Sequence, residues 1–573
     1  MAACAGLTGT CIRVSNPPQM KFRIQISALL FAFLILGGLT ASAQVRSPEP
    51  GVWVPDNGDG SYKNPVIYAD YSDPDVIRVG DDYYMTSSSF SHFPGLPILH
   101  STDLVNWTIV SHAAQRYPYE TFNEPQHGMG IWAPSIRYHE GEFYIYFGDP
   151  DRGVFLTKAT DPAGPWTPLR LIRKVRGWID TCPLWDDDGN AYLVHAWSNS
   201  RSGIKSILAV NRMSKDGTQI LDDSVVVFDG HVNQPTIEGP KFYKRNGYYY
   251  IFAPAGGVKP GWQTVLRSKN VFGPYEDKKV LEQGSTNING PHQGAWVDTK
   301  TGEDWFVHFQ DRYAYGRIIR LEPMRWENDW PVIGADYNRD GIGEPVASYR
   351  KPNVGTSHRI EVPQTNDEFD SSELSLQWQW EANYKESWFS LGARKGWLRL
   401  YSQVQSPKYK NLWNVPSLML QKLPAPTFNA TVRVECAKQS AGEKSGLVIF
   451  GLDYSYIGVS KSKTGYTISR VVCVKADKGT PEETTASVEA SGSDIYLRVE
   501  VRPESATDII PKVLCSFSYS LDGKLFHALG TTFTAREGQW VGAKVGVFAL
   551  GSTATTTSGY ADFDWFRIER SEN

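Results

Sequence analysis

Short runs of alternating apolar and polar residues, each interrupted by a polar turn, recur through the first half of this chain. In "VIRVGDDYYMTSS", beginning at Val76, two such runs flank a turn containing Gly80. The arrangement returns in "SIRYHEGEFYIYFG" from Ser135, "PLWDDDGNAYLVHA" from Pro183, "PKFYKRNGYYYIFAP" from Pro240 and "GAWVDTKTGEDWFVHF" from Gly294. Period-two alternation around a glycine-containing turn predicts a β-hairpin. Each unit carries an aromatic residue three positions after its turn glycine: Tyr83, Tyr144, Tyr192, Tyr250 and Trp305. The turns are separated by about 50 to 60 residues, an interval that suits propeller-type repeats. Five hairpins so spaced predict a five-bladed β-propeller. One large β-sandwich is the competing architecture.

The pattern changes near residue 345. A polar, proline-containing connector over residues 346–364 leads into new strands. The tail "GYADFDWFRIE" from Gly559 again alternates with period two. Residues 365–573 read as a separate β-sandwich of ordinary domain size, so the fold class is all-β. Within the connection, "DYNRDGIGEPVA" follows the first half of a calcium loop, with Asp336, Asn338, Asp340 and Gly341. Ala347 stands where such a loop needs a bidentate glutamate, so the stretch reads as a polar turn.

Composition narrows the function. The formal net charge is -4 and no basic stripe appears, which argues against a nucleic-acid partner. The chain holds 19 Trp, 29 Tyr and 25 Phe, a supply of flat apolar faces suited to sugar rings. From Met20, "MKFRIQISALLFAFLILGGLTASAQ" has basic residues, an apolar core and Ala41-Ser42-Ala43 before Gln44. That is the pattern of a cleaved signal peptide. Residues 1–43 are therefore set aside, and residues 44–345 form the propeller region. The expectation is export to the periplasm or the extracellular space, with no membrane span after cleavage and no lipid-anchoring cysteine. Cys182, Cys436, Cys473 and Cys515 remain, too scattered for a disulfide scaffold or a zinc finger, with a bridge among the last three left open.

The acids follow the repeats. Glu238 lies nine residues before Gly247, Asp180 nine before Gly189, and Asp73 seven before Gly80. Three blades thus begin their first strand with a carboxylate, and first strands of a propeller line its central channel. Trp132 and His292 hold similar places in the second and fifth repeats. Gathering carboxylates costs desolvation and repulsion, so a structural motive is weak. Glycoside hydrolysis needs two such acids, one protonated and one ionised, and a third raises the pKa of the proton donor. Asp75 competes with Asp73 but falls further into the strand. Asp186, Asp187 and Asp188 read as a solvated turn.

With these residues in place, the stretch from about Asn64 to Val346 resembles glycoside hydrolase family 43, the β-xylosidases and α-L-arabinofuranosidases. The motifs are "DYSDPDVIRVGDDYYMTSSSFSHFPGLPILHSTDLVNW", "GIWAPSIRYHEGEFYIYF", "GWIDTCPLWDDDGNAYLV", "TIEGPKFY" and "YGRIIRLEPMRWENDWPVI". The resemblance implies inversion at the anomeric carbon, with Asp73 as general base, Glu238 as general acid and Asp180 as pKa modulator. It puts Arg317 against the substrate, and Phe90, Trp132 and His292 are the further pocket candidates. Where relatives often read Trp-Ala-Pro-Asp, this chain has Ser135. The C-terminal region resembles the concanavalin A-like sandwich of the family's β-xylosidases, which packs on the propeller and helps close the pocket. No cofactor is implied for the chemistry. Some relatives hold calcium near the histidine matching His292, making a structural calcium an expectation. The expected substrates are xylo-oligosaccharides, attacked from the non-reducing end, or arabinoxylan fragments. An arabinofuranosidase and a non-catalytic sugar-binding propeller are the alternatives. The fructan hydrolases' Asn-Asp-Pro-Asn-Gly segment is absent. Oligomeric state and linkage preference leave no mark in the sequence.

Overall fold

The computed structural model describes residues 51–462, 465–551 and 559–571. The expected signal peptide lies outside the described residues. Helix is nearly absent, and five four-stranded antiparallel sheets account for the region up to residue 333. Each sheet is a simple meander whose first strand is innermost: Asp75–Val79, Ser135–His139, Trp178–Trp185, Lys241–Arg245 and His292–Asp298. These are the five predicted blades.

Alternation fixes how the blades pack. The aromatic residue after each turn glycine falls on the second strand and is buried, with Tyr83, Tyr144, Tyr192, Tyr250 and Trp305 all at most 7 % exposed. Wedges of apolar side chains fill the gaps between neighbouring sheets. Tyr144 packs between blades two and three, Tyr250 between four and five. Val76 and Tyr83 of the first blade join Val297 and Trp305 of the fifth, which closes the ring. A two-stranded clasp reinforces that closure. Ser61–Lys63 pairs with Ser348–Arg350, and the Tyr62 hydroxyl donates to the Leu321 carbonyl at 2.7 Å. The start of the expected connector is therefore a strand in the clasp, too short to show a period. The polar turn beyond Asp336 is held by its own side chains, Gly341 N–H donating to Asp336 Oδ2 at 3.2 Å.

Two further sheets, of seven and eight strands, face each other across an apolar core between Gln379 and Glu569. Propeller residues Tyr68, Tyr315 and Ile318 belong to the same buried cluster, so the sandwich is seated on the propeller. The seat has specific ties. Phe93 and Trp380 exchange both backbone hydrogen bonds of a β-bridge. Gly542 N–H donates to Asp70 Oδ2 at 2.9 Å. A Cβ at Gly542 would stand 2.7 Å from the Gly316 nitrogen, so this close approach requires glycine. Cys182, Cys436, Cys473 and Cys515 are all buried free thiols. The open expectation of a bridge among the last three is thereby corrected.

Candidate active site

One residue at or just before the start of each inner strand adopts a left-handed backbone: Asp73 (φ 56°), Ala133 (φ 32°), Asp180 (φ 57°), Gly239 (φ 61°) and Gln293 (φ 43°). Four of the five are not glycine, and Phe90 joins them at φ 51°. Such conformations cost about 1 kcal/mol or more each and persist where the surroundings over-determine them, often at functional sites. The bend sharpens the comparison between repeats. Asp73 and Asp180 occupy the bend itself, whereas Trp132, Glu238 and His292 precede it by one residue. Counting from the turn glycines hides this offset because the hairpins differ in length.

Four of the five bends, Asp73, Ala133, Asp180 and Gln293, line a cavity of about 120 Å³. Asp73, Phe90, Trp132, Asp180, Glu238, His292 and Arg317, the seven residues expected from the sequence, all line it. Asp73 Oδ2 accepts from the Ser88 hydroxyl at 2.6 Å, and Arg317 Nη1 stands 3.4 Å from Oδ1. Ser88 Oγ also accepts from the Ala133 N–H, tying the first bend to the second. Asp75 is turned elsewhere: its Oδ2 accepts from Ile136 N–H and from Arg137 Nη1, joining blades one and two.

Asp180 is buried, and its Oδ2 accepts from the Gly239 N–H at 2.8 Å. Burial, with the Asp73 charge adding to it, pushes its carboxyl up to about 7. The Glu238 carboxyl rises to about 8, first through burial, then through the like charges of Asp180 and Asp73. Glu238 is thus the carboxyl that holds its proton longest. Its side chain is still 34 % exposed, because the cavity mouth opens over it. His292 is pushed down to about 3 by burial and the Arg317 guanidinium, so the imidazole 3.4 Å from Glu238 Oε1 is neutral. Deeper in the channel, the buried Lys241 ammonium donates to the Pro134 carbonyl and to Ser135 Oγ.

Among the described residues, His292 belongs to no cluster of three or more metal-capable side chains, short of the six to eight oxygens that calcium takes. These residues do not fit a calcium cage built from the chain. Sequence reasoning missed five lining residues, of which Ala133 and Ile179 flank expected ones. Gln293, the fifth bend, was hidden beside His292, and Val258 comes from a loop. Trp540 comes from the sandwich, with its ring 6.4 Å from that of Trp132. Only its place in a turn of the second domain, remote in sequence, brings it here.

Convergent acids of unequal proton affinity in an aromatic-walled cavity at the centre of a propeller define a glycoside hydrolase. The chain belongs to glycosyl hydrolases family 43: that family's model matches residues 62–331. The beta xylosidase C-terminal concanavalin A-like domain matches residues 366–569. A putative β-xylosidase of Xylanibacter ruminicola is 41 % identical over 504 residues, 86 % of each chain. A non-reducing end α-L-arabinofuranosidase of Bacteroides ovatus is 29 % identical, covering 88 % of this chain and 94 % of its own. Among solved structures, the xylan β-1,4-xylosidase of Bacillus halodurans superposes with a TM-score of 0.78 at 25 % identity. That match covers 89 % of this chain and all of the other.

Proposed function

We propose that this chain is an exo-acting, inverting glycosidase that releases xylose from the non-reducing end of β-1,4-xylo-oligosaccharides. The observation that carries the reading is the separation of roles among three carboxyls in one cavity. Glu238 keeps its proton to about 8 and is the general acid for the departing oxygen. Asp73, paired with Arg317 and bound by Ser88, is the base that takes a proton from the attacking water. Asp180 raises Glu238 through its charge and, through Gly239, fixes the backbone beside it. In an inverting reaction the water enters between the base and the sugar while the acid stands opposite, about 6.5–9.5 Å away. Phe90, Trp132 and Trp540 supply apolar faces for one sugar ring, and the Arg317 fork binds its hydroxyls. A cavity rather than an open groove supports attack on a terminal unit.

The test is hydrolysis of nitrophenyl β-xyloside and nitrophenyl α-L-arabinofuranoside by wild type, Glu238→Gln and Asp73→Asn. Activity should favour the xyloside and fall at least 10³-fold in Asp73→Asn. In Glu238→Gln the loss should be larger on xylobiose than on the nitrophenyl substrate, whose leaving group needs little protonation. Product released first as the α-anomer of xylose supports inversion. Preference for the arabinofuranoside makes the chain an arabinofuranosidase, and inactivity on every xylan or arabinan oligomer makes it a binding protein. The basic, apolar and small-residue pattern ahead of Gln44 supports export. Cell fractionation tests it, and protein found only in the cytoplasm would reject it.

A further inference from the structure

A second cluster of chemistry lies at the seam between propeller and sandwich, away from the sugar cavity. His92 follows the second strand of blade one, His127 lies between blades one and two, and Glu381 follows the sandwich strand Gln379–Trp380. Their ligand-capable atoms all lie within 4.8 Å of one another. None of the three lines the sugar cavity.

The hydrogen bonds fix what each ring presents. His92 Nδ1 donates to the Ser89 carbonyl at 2.9 Å, because a carbonyl only accepts. His127 Nε2 donates in the same way to the Trp413 carbonyl at 2.7 Å, while its ring stacks on the Trp413 indole. Each neutral ring has then used its single N–H. The remaining nitrogens, His92 Nε2 and His127 Nδ1, carry lone pairs, and both face Glu381 Oε2, at 3.3 and 3.6 Å. Three acceptors turned toward one another repel unless a proton or a metal ion lies between them, and only a metal ion can be shared by all three. Metal-bound histidines show this same pattern, the outer N–H committed to a backbone carbonyl and the inner nitrogen free.

We propose that His92, His127 and Glu381 bind one divalent transition-metal ion, with Zn²⁺ the best match, pinning the sandwich to the propeller. Tetrahedral zinc with bonds of about 2.0–2.1 Å holds its ligands about 3.4 Å apart, close to the two separations found. Two imidazoles and one carboxylate form a common zinc set, and the fourth position is left for water. Calcium and magnesium prefer oxygen throughout and do not suit it. Lys544 Nζ donates to Glu381 Oε1 at 2.6 Å, which leaves Oε2 as the single ligand atom and orients it. The frame is prebuilt. The Phe93–Trp380 bridge sets His92 and Glu381 on adjacent residues of paired backbones. The Asn383 N–H donates to the Phe122 carbonyl and its side chain to the Tyr117 carbonyl, holding the segment after Glu381 against the connection that carries His127.

The experiment uses the full chain, stripped with chelator, dialysed against ZnCl₂ and then against metal-free buffer. Elemental analysis should find one Zn²⁺ per chain in wild type, and at least tenfold weaker retention in His127→Ala and in Glu381→Gln. Zinc should raise the wild-type unfolding midpoint and saturate at one equivalent. Because Glu381→Gln leaves Lys544 without its carboxylate and could fail to fold, Co²⁺ added to stripped wild type gives an independent reading. Visible ligand-field bands of a four-coordinate Co²⁺ complex, displaced by Zn²⁺, support the site. Wild type that retains no zinc and gives no such bands overturns the proposal. Zinc retained equally by wild type and His127→Ala overturns it too, since the metal then sits elsewhere.

Discussion

Replacing Glu238 by glutamine should abolish its acid function while making the protein more stable at alkaline pH. The folded protein raises this carboxyl from 4.5 to about 8, so it favours the protonated form relative to the unfolded chain. That preference contributes stability fully below about 4.5 and loses it as the pH climbs through 8. At about 1.4 kcal/mol per pH unit, the interval sets a ceiling of about 5 kcal/mol. With 34 % of the side chain reaching solvent, screening reduces this to on the order of 1–2 kcal/mol. Glutamine has nearly the same shape and no charge to lose. The unfolding midpoint of Glu238→Gln should therefore match wild type at pH 5 and exceed it by roughly 1–2 °C at pH 9. Differential scanning calorimetry of both proteins at both pH values measures the difference, and other titrating groups cancel. An offset independent of pH, or a variant less stable at pH 9, would refute the account of Glu238 as a carboxyl kept neutral by burial and like charge.

Asp180→Asn should move the alkaline limb of the kcat/KM profile about one pH unit lower, because Glu238 loses a like-charged neighbour while Asn still accepts from Gly239. An unmoved limb would remove Asp180 from the control of Glu238. Arg317→Lys should lower kcat/KM about 10²-fold, since a lysine cannot reproduce a guanidinium that reaches Asp73 and packs over Phe309. Steady-state kinetics within threefold of wild type would contradict that. Trp540→Ala should raise KM about tenfold with a smaller change in kcat, roughly the 1–1.5 kcal/mol of one aromatic wall. Unchanged KM would show that the sandwich does not help hold the sugar.

Much of this architecture was written locally in the chain. Hairpin alternation and one buried aromatic residue per unit revealed the five blades, because both are short-range consequences of a sheet packed on both faces. The acids were legible because they sit seven to nine residues ahead of the turn glycines of those hairpins. Backbone register at the bends was not. Glu238 and Asp180 lie equally far from their turn glycines, yet one stands before the bend and the other on it, a difference in φ that no residue pattern encodes. The Ser61–Lys63 clasp was equally silent, since three residues show no period. Trp540 and the His92–His127–Glu381 cluster depend on contacts between chain segments more than 250 residues apart, the kind of information that periodicity cannot carry.

The bends also explain why the second domain is seated where it is. Left-handed backbone at Asp73, Ala133, Asp180 and Gln293, and a charged cluster out of water, make the channel mouth locally unfavourable. Neighbouring contacts must hold it. Part of that support comes from within the propeller, through Ser88 and the Gly239 N–H. The rest comes from the sandwich. Asp70, three residues before the first bend, accepts from Gly542, and Trp380 pairs with Phe93, three residues beyond the left-handed Phe90. The loop that anchors at Gly542 is the one that carries Trp540 to the cavity wall. A single attachment thus steadies the strained backbone beside the base and completes the cavity wall next to Trp132, so weakening it should impair sugar binding and the geometry of Asp73 together.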